Sequence, residues 1–380
     1  MDMNINVLYF TTSNTPTIID AQAQRVRSIC MLLKKCSITI LSNCAYGTKK
    51  EENIGENHVE YRSYRALSCA NIFSKLFSYI FSSHVIKRML KNNIYNIIVF
   101  NDSTIYNIHL VKKYGKINNS QLIYDAVEWY SSSEFSFRKL SFSYLNNNYI
   151  NSLLIDKSVK VISISNYFYE YFTHKNIRSI YLPVILNKDN YQYQIDEKLN
   201  NQINIIYAGH MGKKDKLLDF LTSYEELDIS LKNRFIINIV GPSLSQLPSI
   251  IKNDKNVRVY GSLSNQQILK LYKFMDFSII FRNPKERYAM AGFPTKLVES
   301  MMCGVPVICN LFSNIGDYLV DEENSIIVNY SKKDICNCFH RISQFSSNKL
   351  LFLKHNARIA AENYFDLYKY ANAFSVFIEK

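Results

Sequence analysis

The chain has 380 residues, 47% of them apolar and 20% charged, which is the balance of a folded globular protein long enough for two domains. Its 45 Lys and Arg against 32 Asp and Glu leave a net charge of +13, favouring anionic partners without choosing among nucleic acid, membrane surface and phosphorylated ligand. No recognisable nucleic-acid motif accompanies that charge, no run approaches the ~18 apolar residues of a spanning helix, and the opening MDMNINVLYFTTSN has no basic-then-apolar leader.

Eight cysteines (30, 36, 44, 69, 303, 309, 336 and 338) form no C-x-x-C pair and no zinc spacing, and several sit in apolar runs. They read as reduced thiols of a cytoplasmic protein. In chain order, strands are expected at 6–10 (NVLYF), 37–42 (SITILS), 96–100 (NIIVF), 121–125 (QLIYD) and 159–165 (VKVISIS), with helical patterns such as 21–35 between them. A polar, aperiodic stretch at 186–202 interrupts the series. Strands then resume at 203–209, 235–241, 256–261, 276–281, 305–309 and 325–329, and a helix runs from about Ala357 to the end. This alternation predicts an α/β protein of two Rossmann-like, doubly wound parallel-sheet domains, 1–188 and 203–362, with an interdomain cleft. The closing segment, 363–380, is expected to be a helix that packs back on the first domain.

Gly209, Gly241 and Gly261 each follow a strand of the second half directly, where a missing side chain lets a ligand approach the backbone; ordinary turn glycines give the same pattern. Phe293-Pro294-Thr295-Lys296 opens a helical run, with Pro294 suited to its first position. Unpaired N–H groups at such a start attract anions, and Lys296 adds a full charge. Glu299, about one turn on, is placed to accept hydrogen bonds from a vicinal diol such as a ribose. A solvated i,i+3 pair of Lys296 and Glu299 is the competing reading.

Residues 71–91 interleave apolar side chains with Lys75, Lys87, Arg88 and Lys91. Such a basic amphipathic helix lies either on an anionic membrane or with its apolar face in the core. In the first half, Asp125 and Glu128 follow a strand closely. They are candidates to orient an acceptor hydroxyl, or a helix-start acid pair.

GFPTKLVESMMCGVPVI (292–308) resembles the signature region of the GT-B glycosyltransferases, specifically the retaining family 4 group, in which Pro, Lys and Glu precede CG-x-PV. Residues 259–282 resemble the family's base-binding turn, helix and strand; 207–221 resemble its glycine loop; 122–130 and 161–172 resemble two further stretches. The resemblance implies transfer of a sugar from a nucleotide-sugar donor, a UDP-sugar foremost, to a glycan or lipid-linked acceptor in surface polysaccharide biosynthesis. Contact with the anionic inner membrane surface is the expectation the 71–91 stretch raises beside core packing, and with no nucleic-acid motif and no D-x-D motif, no nucleic acid, no cofactor and no metal are expected. Glu299 would bind the ribose, and the backbone at Phe293, Pro294 and Thr295 the diphosphate. Gly209, His210, Tyr260, Gly261 and Arg282 would complete the nucleotide-sugar site, and Lys216 and Lys296 would stabilise the departing diphosphate, with Asp125 and Glu128 serving the acceptor side.

The chain departs from the family in three places. Ala291 stands where a second Glu contacts the donor sugar, with Glu286 close by in sequence; His210 replaces the glycine-loop Arg; Val127 replaces a His. A nucleotide-sugar epimerase and a non-catalytic nucleotide-sugar-binding subunit are the competing functions.

Overall fold

FIINIV, Phe235–Val240, is buried along its whole length, as a strand covered on both faces by helices must be. Runs of this kind build two sheets in the computed structural model, which describes residues 5–16, 20–44, 49–64, 72–101, 103–191, 202–209, 212 and 214–379, with the backbone alone at 72–79. The chain divides into two units: Met1–Pro183 together with Tyr370–Lys380, and Val184–Lys369.

In the first unit the strands are β1 (Ile5–Phe10), β2 (Cys36–Ser42), β3 (Lys49–Ile54), β4 (Asn57–Ser63), β5 (Ile97–Phe100), β6 (Gln121–Ala126), β7 (Lys160–Ser163) and β8 (Ser179–Tyr181). They pair in the order β3-β4-β2-β1-β5-β6-β7-β8, parallel throughout except for the β3–β4 hairpin. Three of these elements escape the sequence pattern. β3 is KKEENI, an exposed edge strand whose charges discourage further pairing; β4 alternates buried and exposed positions beside it, and β8 has only three residues.

The second unit contains β9 (Ile203–Ala208), β10 (Phe235–Val240), β11 (Val257–Gly261), β12 (Phe277–Ile280), β13 (Val307–Cys309) and β14 (Ser325–Ile327). Their order is β11-β10-β9-β12-β13-β14, all parallel. Its core packs Ile205, Ile237, Ile279 and Ile308 of the sheet with Phe220 and Phe339 of the covering helices, the last two rings lying 5.0 Å apart.

The end of the chain differs from the expected single helix. One helix runs from Ser347 to Phe365, with Ser346 as its cap, and stops at Asp366. A second, Ala371–Glu379, packs on the first unit. Phe374 and Phe377 are buried there, and the carbonyls of Phe377 and Ile378 accept from Lys160 (2.9 Å) and Gln121 (2.9 Å).

Candidate functional site

A sheet wound outward in both directions from its first strand leaves a crevice at the carboxyl ends where the strand order reverses. In the second unit that point lies between β9 and β12. Gly241 lets the backbones crowd together beside it. Gly241, after β10, has φ +110°, and a Cβ there would stand 2.0 Å from the Gly209 carbonyl oxygen. Gly261, at the end of β11, has φ +64°, and its carbonyl accepts from the Gly241 N–H at 2.7 Å. Gly209 itself has Lys296 Nζ and Tyr207 Oη within 3.1 and 3.2 Å of where a side chain would begin.

The loop after β9 delivers Asp215 to the centre of this region. Its carboxylate pairs with Lys296 Nζ through Oδ2, lies 3.5 Å from Arg282 Nε through Oδ1, and accepts from Tyr207 Oη at 3.2 Å. Each member is fixed by its own element. Lys296 projects from the first turn of the helix Thr295–Met302, and its ammonium sits 4.5 Å from the centroid of the Tyr207 ring, a cation–π contact. Arg282 follows β12, where the Asn310 side chain accepts from its N–H (3.0 Å) and donates to its carbonyl (2.9 Å). Its guanidinium lies 5.3 Å from the Phe312 ring. The Lys216 N–H donates to the Phe281 carbonyl at 3.0 Å, closing the loop onto β12.

Burial drives Asp215 toward its neutral form, but Lys296 and Arg282, with hydrogen bonds from Lys296 and Tyr207, outweigh it and hold the carboxyl below the usual carboxylate range. The Lys296 ammonium is pushed down, by burial first and against the pull of Asp215. Side-chain exposures of 13% for Asp215, 15% for Lys296 and 14% for Arg282 make this a nearly enclosed cluster of two cations and one anion. Asp215 Oδ1 and Arg282 Nε are both buried without a hydrogen-bond partner. The Arg282 N–H is a donor whose desolvation cost a bound anion can relieve.

Glu299, one turn along the same helix, is half-buried and accepts from Asn265 Nδ2 at 3.0 Å. Asn265 begins the helix Asn265–Tyr272, so Glu299 is steered from the segment that follows β11. Pro294 stands at the cap of the Lys296 helix rather than at its first position, which Thr295 occupies. The Phe293 ring is buried against Tyr318 and Phe365, which anchors the turn and leaves only its backbone free to face a ligand. Tyr260 Oη donates to the buried Asn238 side chain at 3.0 Å. Ala291 is fully buried, and Glu286 stands at the N-cap position of the short helix Arg287–Ala291 without a capping hydrogen bond from its side chain. His210 lies outside the described residues.

The first unit holds the other two candidates. Asp125, at the end of β6, is 1% exposed and ion-paired with Arg25, whose Nη2 reaches Oδ1 at 2.7 Å. Arg25 Nε adds contacts of 2.9 and 3.1 Å, and Tyr9 Oη donates to Oδ2 at 2.9 Å. Arg25 Nη1 meanwhile binds the carbonyls of Leu182 and Pro183. Asp125 is thus occupied and shut away from any acceptor. Glu128 is half-buried, its carbonyl accepting from Asn147 Nδ2 at 3.1 Å. Sequence reading missed Asp215, Tyr207, Asn310 and Arg25. The one trace of Asp215 is a lone acid among Lys213, Lys214 and Lys216, which reads as ordinary surface charge.

Residues 191–363, within the second unit, match the family model described as glycosyl transferases group 1. An uncharacterised glycosyltransferase of Methanocaldococcus jannaschii is 25% identical over 208 residues, covering 52% of this chain and 51% of that protein, so the chain spans about half the length of this curated relative. Among solved structures, sucrose-phosphate synthase of Thermosynechococcus elongatus superposes with a TM-score of 0.78 at 12% identity, over 99% of this chain and 98% of that one. HepE of Anabaena in complex with UDP-glucose gives 0.70 at 13% identity, over 99% and 100%. WaaG, a glycosyltransferase involved in lipopolysaccharide biosynthesis, gives 0.70 at 13%, over 97% and 98%. The fold is that of the GT-B glycosyltransferase structures, two parallel-sheet α/β domains.

Proposed function

We propose that the chain is a retaining, metal-independent glycosyltransferase of the family 4 type that moves a sugar from a UDP-sugar to a glycan or lipid-linked saccharide in surface polysaccharide biosynthesis. The observation that carries this reading is the convergence of Lys296 and Arg282 on Asp215 at the switch point of a glycosyl transferases group 1 domain. The UDP-glucose complex of one structural neighbour and the lipopolysaccharide role of another support the donor and the pathway class.

Departure of a nucleoside diphosphate builds negative charge on the leaving oxygen, and preorganised cations in an enclosed site stabilise it most. Lys296 and Arg282 serve that role here, with Lys216 and the first N–H groups of the Lys296 helix beside them. When the diphosphate binds, it takes over from Asp215 as the anion of the cluster. Glu299 binds the ribose hydroxyls. Asp125 is a positioning residue of the first unit, and Glu128 is the acid assigned to the acceptor.

The test is a thermal-shift and calorimetric screen of UDP, GDP, CMP, ADP and their sugars, with Glu299→Ala alongside, followed by a transfer assay in EDTA. UDP should raise the melting temperature, by about 2.7 kcal/mol of added stability at a hundredfold excess over Kd. Loss of a charged hydrogen-bond acceptor, worth about 1.5–3 kcal/mol, should weaken UDP at least about tenfold in Glu299→Ala. Binding with no turnover on any acceptor would make the chain a nucleotide-sugar-binding subunit, a reading raised by Ala291 and Val127 standing where the family has a Glu and a His. No response to any nucleotide by the folded protein would sink the site assignment.

A further inference from the structure

The helix that carries Lys296 and Glu299 ends at Cys303, and a cavity of about 270 Å³ opens at that end. Its described lining residues all belong to the second unit. On one wall the helix Asn265–Tyr272 and its cap present Gln266, Lys270 and Lys273, at i, i+4 and i+7 on one face. On another, the single turn Lys188–Asn190 brings Asp189 and Asn190 and leads into Tyr191. Cys303, 7% exposed, closes the third side. These walls are braced from behind. Arg358, on the helix Ser347–Phe365, donates to the Tyr191 carbonyl (3.0 Å) and to the Met302 carbonyl, joining two of them. Ser264 and Gln267 close a capping box at the head of the other. The space is therefore preformed, as ligand cavities usually are.

Its inner end is polar and unsatisfied. Tyr191 is 8% exposed and Tyr272 1%, yet neither hydroxyl makes a hydrogen bond among the described residues. Buried phenols ordinarily find a partner, as Tyr9, Tyr124 and Tyr207 do in this chain. Burial first, and then the negative charge of Glu299, raises both phenols and keeps their protons in place. Cys303 and Tyr191 act on Tyr272 in turn, so the two phenols and the thiol share one neighbourhood.

Unengaged hydroxyls inside and two lysines outside call for a ligand rich in acceptors. Asp189 is the one acid among the described lining residues, which leaves a surplus of positive charge. Glu299 disfavours a second anion at the inner end, so a ligand's charged group belongs at Lys270 and Lys273, with uncharged oxygens at Tyr191. A phosphate monoester on a compact hydroxylated body has that distribution. Its dianion meets two point-like ammonium groups, and its hydroxyls meet the phenols and the amides of Asn190 and Gln266.

We infer that this cavity is a second ligand site, taking a small polyol phosphate at the opposite end of the Lys296 helix from the nucleotide. It stands independently of the nucleotide reading.

The full chain is titrated calorimetrically at pH 7 with glycerol 3-phosphate and sorbitol 6-phosphate, and with glycerol and sorbitol. A polyol phosphate should bind, more weakly as salt rises, and the free polyols should not. Lys270→Glu should weaken it about tenfold or more, through loss of a charge-assisted contact. Tyr191→Phe should weaken it about fivefold, the value of one neutral hydrogen bond. That variant should melt with the wild type, because the hydroxyl it removes has no partner in the free protein. Lys296→Ala should leave polyol phosphate binding intact, which separates this site from the diphosphate cluster whether or not UDP binds there. Wild-type affinity in both Lys270→Glu and Tyr191→Phe would overturn the proposal. So would loss of binding in Lys296→Ala alone, equal binding of the free polyols, or no binding of either phosphate at millimolar concentration.

Discussion

Each unit holds one nearly buried carboxylate facing a guanidinium near the carboxyl ends of its sheet, and the two clusters are built to opposite ends. In the first, Asp125 and Arg25 satisfy each other: two hydrogen bonds from Nε, one from Nη2, a third partner in Tyr9, and the remaining guanidinium nitrogen on two carbonyls. In the second, one anion faces two cations, and Asp215 Oδ1 and Arg282 Nε face each other at 3.5 Å without closing a hydrogen bond. A closed, neutral cluster ties strands together. A cluster with surplus positive charge and a loosely paired guanidinium donor is less favourable on its own and is improved by an added anion. Placement near a strand end is therefore not enough to make a charged group a site; incomplete pairing is the better sign.

The largest effect that sharpens this contrast belongs to the first cluster. Arg25→Ala strands the Asp125 carboxylate in the interior, and removing one partner of a buried pair costs about 3–5 kcal/mol. Urea denaturation followed by a probe in the first unit should show the loss, with UDP binding to the remaining folded protein unchanged. An Arg25→Ala protein as stable as the wild type would mean that water replaces the guanidinium, and the cluster would not be closed at all.

Lys296→Ala should do the reverse. Arg282 still faces Asp215, so the melting temperature should move little, while turnover should fall by about 10²–10³, the usual cost of losing one group that stabilises developing charge. Steady-state transfer assays beside thermal melts separate the two effects. A large stability loss with activity intact would give the second cluster the structural character of the first.

Much of this arrangement was legible beforehand. Strands such as Phe235–Val240 announce themselves by unbroken apolar runs, and Pro294-Thr295-Lys296 announces a helix start with a cation in its first turn. What stayed hidden depends on partners far apart in the chain. Asp215 meets Lys296 across 81 residues and Arg25 meets Asp125 across 100, so no local pattern links them. Edge strands hide for another reason: Lys49–Ile54 carries charge because it borders solvent, and charge reads as loop.

The finest test of the comparison is Asp215→Asn. Because Lys296 and Arg282 hold the folded carboxyl below its ordinary range, the charged form of Asp215 contributes stability above its unfolded pKa of about 3.9. That contribution is lost as pH falls below about 4 and through the depressed folded value. The wild type should therefore lose stability in acid more steeply than Asp215→Asn. At neutral pH the variant should be less stable by about 1–2 kcal/mol, since two neighbouring cations then lack their counter-charge. The same loss removes the competitor of an incoming anion. Pyrophosphate and UDP should consequently bind the variant more tightly, by about tenfold or about 1.4 kcal/mol, and calorimetry at pH 7 reads this directly. Weaker binding instead would show that Asp215 aims Lys296 at the ligand rather than standing in for it, which would bring the second cluster closer to the first, where the carboxylate holds its cation in place.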